Sequence, residues 1–290
     1  MGIGGLFNSG YTRRPDGLIG YLLTGYGALF IVWSVYAAIF GKLDALILVT
    51  LFLSFMLVLV FSTIAAGSER PEDGQHKIPV VDWLLVILSV SCGIFFGTNA
   101  DEIATRITLL DPLSVYDVTF GSILILLCLE VCRRTVGLLL TAIVIGFMAY
   151  NLYGHSLPNS LGHGYISYEH FLDIMIFTTD GLFGTPLRVA ATYVLLFVLF
   201  GTFLANAGGG EFFNNLAASV AGTQVGGPAK IAVVSSGLYG TISGSPTSDV
   251  VTTGSITIPM MKKIGYPSVV AGGVEVAAST GGSILPPVMG

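Results

Sequence analysis

The chain has 290 residues, of which 53% are hydrophobic and only 10% are charged, and its mean hydropathy is +0.83. Globular domains carry roughly a quarter of charged residues, so this composition predicts an integral membrane protein and excludes an ordinary water-soluble domain. The net charge is -5, and most charged residues lie in short loops. The sequence has no basic groove for nucleic acid, so no nucleic-acid partner is expected.

Five apolar segments in the first half are predicted to be transmembrane helices. The first, Leu18 to Phe40, follows Arg13 and Arg14, is longer than a signal-peptide core and lacks an obvious cleavage site, so it is interpreted as a retained span. The fourth is the least clear, because Asp117 and Glu130 confine it. The other four segments are about Ala45–Ala65, Val80–Gly97, Val118–Val131 and Val136–Tyr153.

Loop charges predict that this multi-pass protein has its N-terminus in the cytoplasm. On that assignment the cytoplasmic loops hold Arg13, Arg14, Arg70, Lys77, Arg133 and Arg134, and the outer loops hold Lys42 and Arg106. The loop from Gly154 to Tyr168 has no Lys or Arg, as expected of a translocated loop. His155 and His163 lie in this loop, and His170 follows it. We interpret these three histidines as solvated or interfacial side chains rather than as a metal site. We interpret the three cysteines, Cys92, Cys128 and Cys132, as small packing residues rather than as metal ligands.

Beyond this loop the pattern becomes mixed. Ile166 to Phe183 has Phe171, Ile174, Met175 and Thr178 at helical spacing, which predicts a helix along the membrane interface. A sixth span is predicted at about Leu187–Ala207. A short amphipathic piece, Glu211–Leu216, and a hinge at Gly226-Gly227-Pro228 follow it.

The apolar stretch from Pro228 to Met261 cannot be one ordinary span. As a continuous helix it would be about 50 Å long at about 1.5 Å per residue, against a hydrocarbon thickness of about 30 Å. Gly244 and Pro246 should interrupt the helix. Lys230 before the break and Lys262 and Lys263 after it place both ends on the same side, so the stretch is predicted to be a re-entrant helical hairpin.

A second break follows, where the helix containing Glu275 runs into glycines and a Pro-Pro pair. The two breaks are predicted to meet and to offer oxygen ligands to a small hard cation. The alternative is that these small residues only allow tight helix packing. The cation-binding candidates are Ser243, Gly244, Ser245, Thr247, Ser248, Asp249, Thr280, Gly281 and Gly282. The substrate or secondary candidates are Glu275, Ser283, Pro286 and Pro287. No catalytic residue, organic cofactor or transition-metal site is predicted.

Several motifs carry a family resemblance. They are Phe197–Gly201 with Gly208 and Gly209, Gly226–Lys230, Gly240–Ser245, Thr252–Ser255, Thr257–Lys262, Gly265-Tyr266, Ala278–Gly282 and Pro286–Gly290. In order and spacing they resemble the large permease of tripartite ATP-independent periplasmic (TRAP) transporters. The closest resemblance is to the fused form, in which a four-helix small subunit precedes the large one. Fused members often have Asn at the position of Asp249, whereas stand-alone large permeases frequently have Asp.

The resemblance implies an all-α polytopic membrane protein with an elevator-type transport domain that imports organic acids coupled to sodium. A periplasmic substrate-binding protein would deliver the substrate. The implied regions are a small-permease-like part over 1–135, a connecting helix and interfacial segment over 136–184, and the start of the large-permease transport domain over 185–290. Because the family's large subunit continues past the Pro-Pro motif, the chain is expected to be an N-terminal fragment.

There are three alternative functions to compare with this one. A sodium/dicarboxylate secondary transporter that needs no binding protein would share the two breaks. A non-transporting scaffold subunit fits the first half, whose helices are expected to contain almost no buried ionisable residue. A membrane enzyme is disfavoured, because Asp249 and Glu275 have no intramembrane His or Cys partner in the sequence.

Overall fold

The computed structural model describes residues 10–13, 15, 17–41, 45–67, 78–158, 162–244 and 246–285. This part of the chain is helical, apart from loops and one isolated bridge between Thr12 and Ile64. Six of its helices are long and apolar enough to cross a membrane, which confirms the predicted all-α, polytopic class. Several residues named above lie outside the described residues, namely Arg14, Lys42, Arg70, Lys77, Ser245, Pro286 and Pro287.

The spanning candidates in the first half are α1 (Gly17–Phe40), α2 (Ala45–Thr63), α3 (Val80–Thr98), α5 (Val115–Thr135) and α6 (Leu138–Tyr153). The sixth candidate, Thr185–Leu204, consists of α8 (Thr185–Val189), a π-helical turn (Ala190–Val194) and most of α9 (Leu195–Asn206). Shorter helices are α4 (Ala100–Thr105), α7 (Tyr168–Ile176) and α10 (Gly209–Ala221). The remaining helices are α11 (Gly227–Ser243), α12 (Pro246–Thr252), α13 (Gly254–Lys263) and α14 (Ser268–Thr280).

The chain divides into two compact units, 1–191 and 192–290. The first unit contains α1 to α8, and the second contains α9 to α14. The regions expected from the family resemblance, with boundaries at 135 and 184, stay a prediction.

The fourth span, α5, is longer than the predicted Val118–Val131. The two acids that were expected to confine it, Asp117 and Glu130, lie inside the helix. Asp117 lies inside α5, where it and Ser114 form a reciprocal capping box that satisfies backbone donors at the helix start. Glu130 is also inside the helix and accepts hydrogen bonds from Arg133 and Arg134 one turn later. Both carboxylates are paired locally, so neither ends the helix.

Helix α7 packs into the core of the first unit. Phe171, Leu172 and Ile176 are buried, and Leu172 and Ile176 pack in one core cluster with Leu127 and Phe183. A helix is therefore present within the predicted segment, and its course along the membrane interface stays a prediction. Leu172 and Ile176, one turn apart, form its buried face, whereas Ile174 is 40% exposed.

A buried charge network ties the N-terminal segment to the ends of α3 and α5. Asp82 lies between two guanidinium groups, with Oδ1 2.8 Å from Arg134 Nη2 and Oδ2 2.6 Å from Arg13 Nη1. Arg134 also donates through Nε to Glu130 at 2.6 Å. Arg13, Asp82 and Arg134 are all at most 4% exposed. The expectation that the first half has almost no buried ionisable residue is therefore wrong, because loop-flanking charges turn inward and neutralise one another.

A second buried pair joins Asp173 of α7 to the loop before α5. Asp173 Oδ1 lies 3.0 Å from Arg106 Nη1, and its Oδ2 accepts a hydrogen bond from Leu109 N at 2.7 Å. Leu109 has a φ of 66°, a left-handed conformation that a leucine rarely adopts. The carboxylate of Asp173 thus holds this loop in place through both of its oxygens.

The three histidines near the loop after α6 have separate surroundings. His163 donates through Nε2 to the carbonyl of Tyr150 at 2.9 Å and through Nδ1 to that of Gly164 at 2.7 Å. The carbonyls of Tyr150 and then Gly164 raise the pKa of His163, because only the protonated ring can donate through both nitrogens. Among the described residues no group of three His, Cys, Asp or Glu side chains is placed to hold a metal ion.

Candidate functional site

The stretch from 227 to 263 folds back on itself as a hairpin of helices. Helix α11 ends at Gly244, whose φ of 59° is left-handed and reverses the chain. Contacts then pair positions successively further from this turn: Ser243 with Asp249, Ser236 with Thr253, and Ala232 with Met261. This pattern of contacts shows that the two arms of the hairpin run antiparallel. The second arm is itself interrupted at Thr253, which separates α12 from α13.

The second break lies directly against the first. Helix α14 ends at Thr280 and passes into a 3-10 turn, Gly281–Ser283. A Cβ built on Gly240 of α11 would lie 2.4 Å from the Cα of Gly282, a separation that real side chains do not tolerate. Only a pair of glycines allows the backbones to approach this closely. The hairpin and the turn after α14 therefore meet at Gly240 and Gly282.

The carboxylate of Asp249 sits at this meeting point. Asp249 is in the first turn of α12 and is 0% exposed. Its Oδ1 accepts a short hydrogen bond from the Ser243 hydroxyl, whereas its Oδ2 has no hydrogen-bond partner. That Oδ2 lies 2.4 Å from the position of a Cβ on Gly282. A buried carboxylate oxygen without a partner is costly, so this geometry calls for a bound cation or a proton.

The other candidates are placed less centrally. Thr247 and Ser248 are exposed. The hydroxyls of Thr280 and Ser283 donate to the backbone carbonyls of Val276 and Thr280, at 2.7 and 2.8 Å. Gly281 is half-buried, and a Cβ on it would meet nothing within 4 Å. The described residues therefore bring Ser243, Asp249 and Gly282 together, and Gly244 adjoins Ser243 in the chain. Ser245, Pro286 and Pro287 lie outside them.

Glu275 has an environment of its own. It is 0% exposed, and four hydroxyl groups surround its carboxylate. Its Oε1 lies 2.9 Å from Ser236 Oγ, 2.6 Å from Thr253 Oγ1 and 3.3 Å from Ser279 Oγ; its Oε2 lies 2.5 Å from Thr257 Oγ1.

These four hydroxyl residues are not among the site residues predicted from the sequence. The one signal present was that Thr253 and Thr257, and likewise Glu275 and Ser279, are four residues apart and so share a helix face. That spacing does not show that the two faces meet.

Comparison with known proteins points to one family. Residues 123–290, more than half of the chain, match the family model described as "Tripartite ATP-independent periplasmic transporter, DctM component". The matched segment includes all of the second unit and with it both breaks. It leaves out α1 to α4 and the start of α5, so the expected likeness of residues 1–135 to a fused four-helix small subunit stays a prediction.

Curated relatives agree with this match. The "C4-dicarboxylate TRAP transporter large permease protein DctM" of Pseudomonas aeruginosa is 32% identical over 123 residues, which are 40% of this chain and 29% of that protein. The protein of the same name from Rhodobacter capsulatus is 32% identical over 91 residues, 31% of this chain and 21% of its own. The one from Vibrio cholerae is 36% identical over 102 residues, 34% and 22% of the two chains.

These alignments span less than a third of the length of the curated relatives. All three relatives are named as permeases, that is, as transporters and not as enzymes. No solved structure matches the chain.

Proposed function

Because this chain belongs to the family of the tripartite ATP-independent periplasmic (TRAP) transporter DctM component, we propose that it forms part of a sodium-coupled permease for organic acids. C4-dicarboxylates are the proposed substrate class, since the relatives named above carry that substrate in their names. A periplasmic substrate-binding protein is the proposed partner, and a bacterial inner membrane with the N-terminus in the cytoplasm is the proposed location. The re-entrant course of the hairpin and elevator-type movement of the second unit belong to the same proposal.

One observation carries the coupling part of this proposal: the unpartnered Oδ2 of the buried Asp249. Small hard cations prefer oxygen ligands, and an ionised acid in a low-dielectric site needs a partner of opposite charge. Between Thr192 and Gly290 the only Lys or Arg residues are Lys230, Lys262 and Lys263, all exposed. None of these ammonium groups neutralises Asp249, and a bound sodium ion would do so.

The residues at the break fit such an ion chemically. Asp249 supplies the carboxylate, and the Ser243 hydroxyl that donates to Oδ1 fixes its orientation. Gly240 and Gly282 let the backbone lie close to Oδ2, since a Cβ on Gly282 would clash with that oxygen. Ser243, Gly244, Asp249 and Gly282 are therefore the residues proposed to hold the ion. When bound, the ion would supply the positive charge that the helices of this unit lack.

Uptake into proteoliposomes tests the function. The native permease is reconstituted, and entry of radiolabelled succinate, a C4-dicarboxylate, is measured with an inward gradient of either sodium or choline, with and without the cognate binding protein. Uptake that requires both sodium and the binding protein is the expected result. Equal uptake in choline would disprove sodium coupling, and sodium-driven uptake without the binding protein would favour the dicarboxylate symporter alternative.

A further inference from the structure

The two buried acids of the second unit differ in whether both of their carboxylate oxygens have hydrogen-bond partners. Asp249 has one oxygen without a partner, whereas both oxygens of Glu275 are engaged by hydroxyl groups. These hydroxyls come from three elements: Ser236 from α11, Thr253 and Thr257 from the second hairpin arm, and Ser279 from α14 itself. Hydrogen bonds from hydroxyl donors favour the charged form of a carboxylate, so Glu275 depends less on a bound cation than Asp249 does. Glu275 therefore has a different role from Asp249.

Thr253 links the two acids. Its hydroxyl lies 2.6 Å from Glu275 Oε1, and its backbone N–H donates to the carbonyl of Asp249 at 2.8 Å. The hydroxyl also lies 2.7 Å from that carbonyl, but a carboxylate is the stronger acceptor for its single hydrogen. The next residue, Gly254, allows this contact, since a Cβ there would lie 3.0 Å from Glu275 Cγ.

Helix α12 depends on such contacts for its orientation. It has seven residues, a length at which a helix is not stable by itself in water. The left-handed Gly244 precedes it, so α11 does not continue into it. At its other end Thr253, with φ of -72° and ψ of -38°, joins it to α13. Two contacts with other segments hold α12 in its direction: Ser243 with Asp249 at its start and Glu275 with Thr253 just after its end.

We propose that Glu275 is a positioning residue for the cation site: it holds the hydroxyl of Thr253 and thereby fixes α12 so that Asp249 Oδ2 faces Gly282. This inference rests on the proposed sodium site. It assigns to Glu275 no contact with the ion and no part in the substrate site. It also explains why an acid is present where no cation lies near: a carboxylate accepts from four hydroxyls on three elements, which no neutral side chain does.

Sodium affinity of the purified native permease tests the proposal. The melting temperature in detergent is followed as choline chloride is replaced by sodium chloride at constant ionic strength, and the half-saturating sodium concentration is read from the shift. Glu275→Gln and Thr253→Val should each raise that concentration about tenfold or more, because Asp249 keeps its carboxylate but loses its alignment. Thr253→Ser restores the hydroxyl and should return the value to within about twofold of the wild type.

A matched control separates positioning from general destabilisation. Thr241→Val also replaces a hydroxyl by a methyl on the hairpin, but the Thr241 hydroxyl donates only to the carbonyl of Leu238 in its own helix, and its half-saturation should stay at the wild-type value. If Glu275→Gln and Thr253→Val lower the melting temperature without sodium yet leave half-saturation unchanged, Glu275 is merely structural and the inference is wrong. If the wild type itself shows no sodium-dependent shift, the sodium site fails first, and the inference falls with it.

Discussion

Gly282 lies so close to Asp249 that a Cβ on the glycine would stand 2.4 Å from Oδ2 of the carboxylate. This relationship joins the turn after α14 to the break in the hairpin, two segments that are more than thirty residues apart in the sequence. It also makes the surroundings of the unpartnered oxygen open to experiment, since one added methyl group is enough to disturb them.

Gly282→Ala should abolish sodium-dependent stabilisation and sodium-driven uptake. The added methyl group must displace either Asp249 or the backbone of Gly240, and overpacking of this kind costs about 1–3 kcal/mol. Gly281→Ala is the matched control, because it lies in the same turn and a Cβ there meets nothing within 4 Å. Succinate uptake and the sodium-induced melting shift are measured for both. Equal behaviour of the two variants would show that the contact between Gly282 and Asp249 has no functional importance.

Replacing Asp249 should weaken sodium coupling in graded fashion. Asp249→Asn keeps the shape and one oxygen ligand, so we expect a raised sodium requirement with uptake retained. Asp249→Ala removes the ligand and should reduce uptake further. Sodium is titrated at fixed pH in proteoliposomes for the wild type and both variants. If Asp249 carries a proton instead, Asp249→Asn should stop coupling outright and uptake should follow the pH gradient; unchanged sodium dependence in Asp249→Ala would exclude the ligand role.

Asp82→Asn should strongly destabilise the first unit. The substitution leaves the buried guanidinium groups of Arg13 and Arg134 without a counter-charge between them, and breaking a buried pair in this way costs about 3–5 kcal/mol. Asp101→Asn, an exposed acid on α4, is the control and should have little effect. Thermal unfolding of both variants in detergent gives the comparison. A similar melting temperature for the two would contradict the idea that the buried network stabilises this unit.

His163 should titrate above its ordinary pKa of about 6.5, because the carbonyls of Tyr150 and Gly164 both accept hydrogen bonds from its protonated ring. A pKa raised in the folded state means that the contact stabilises the loop fully at pH values below about 6.5 and loses this effect as the pH rises through the raised value. NMR of carbon-labelled histidine in micelles measures the pKa, with His163→Gln assigning the resonance. Titration at or below the ordinary value would show that the two contacts do not hold the ring.

Cysteine labelling should reveal the topology. With Cys92, Cys128 and Cys132 replaced by serine, single cysteines near Lys42 and Asn159 should react with an impermeant thiol reagent added outside the cell. Cysteines near Gln75, Lys230 and Lys262 should not react. Lys42, Gln75 and Asn159 lie outside the described residues. External labelling at Lys262 but not at Lys230 would show that the hairpin arms end on opposite sides of the membrane.

The sequence predicted what depends on local properties of the chain. The spans follow from runs of apolar residues, and the hairpin follows from Gly244, Pro246 and a stretch too long for one crossing. The two helix breaks are also the reason why the candidate site is predicted around Asp249. In each case the physical cause acts within a few residues of the feature that it produces.

The contacts that depend on three-dimensional meeting could not be predicted. The hydroxyls around Glu275 come from Ser236, Thr253, Thr257 and Ser279, and each of these is an ordinary small residue in its own helix. The inward turn of Arg13 and Arg134 was missed for the same reason, because a charge beside a loop is normally solvated until its partner on another helix is known.

The ion pairs of Asp82 set an order of events during synthesis. Arg13 leaves the ribosome long before Asp82 does, and Arg134 follows later still. The counter-charge of Arg13 is Asp82 of α3, so their ion pair cannot form while α1 is entering the bilayer. During insertion Arg13 is therefore a hydrated cation available to orient the nascent chain, and only when α3 arrives does it become part of an internal ion pair. One side chain thus serves first the biogenesis of the protein and afterwards its folded state.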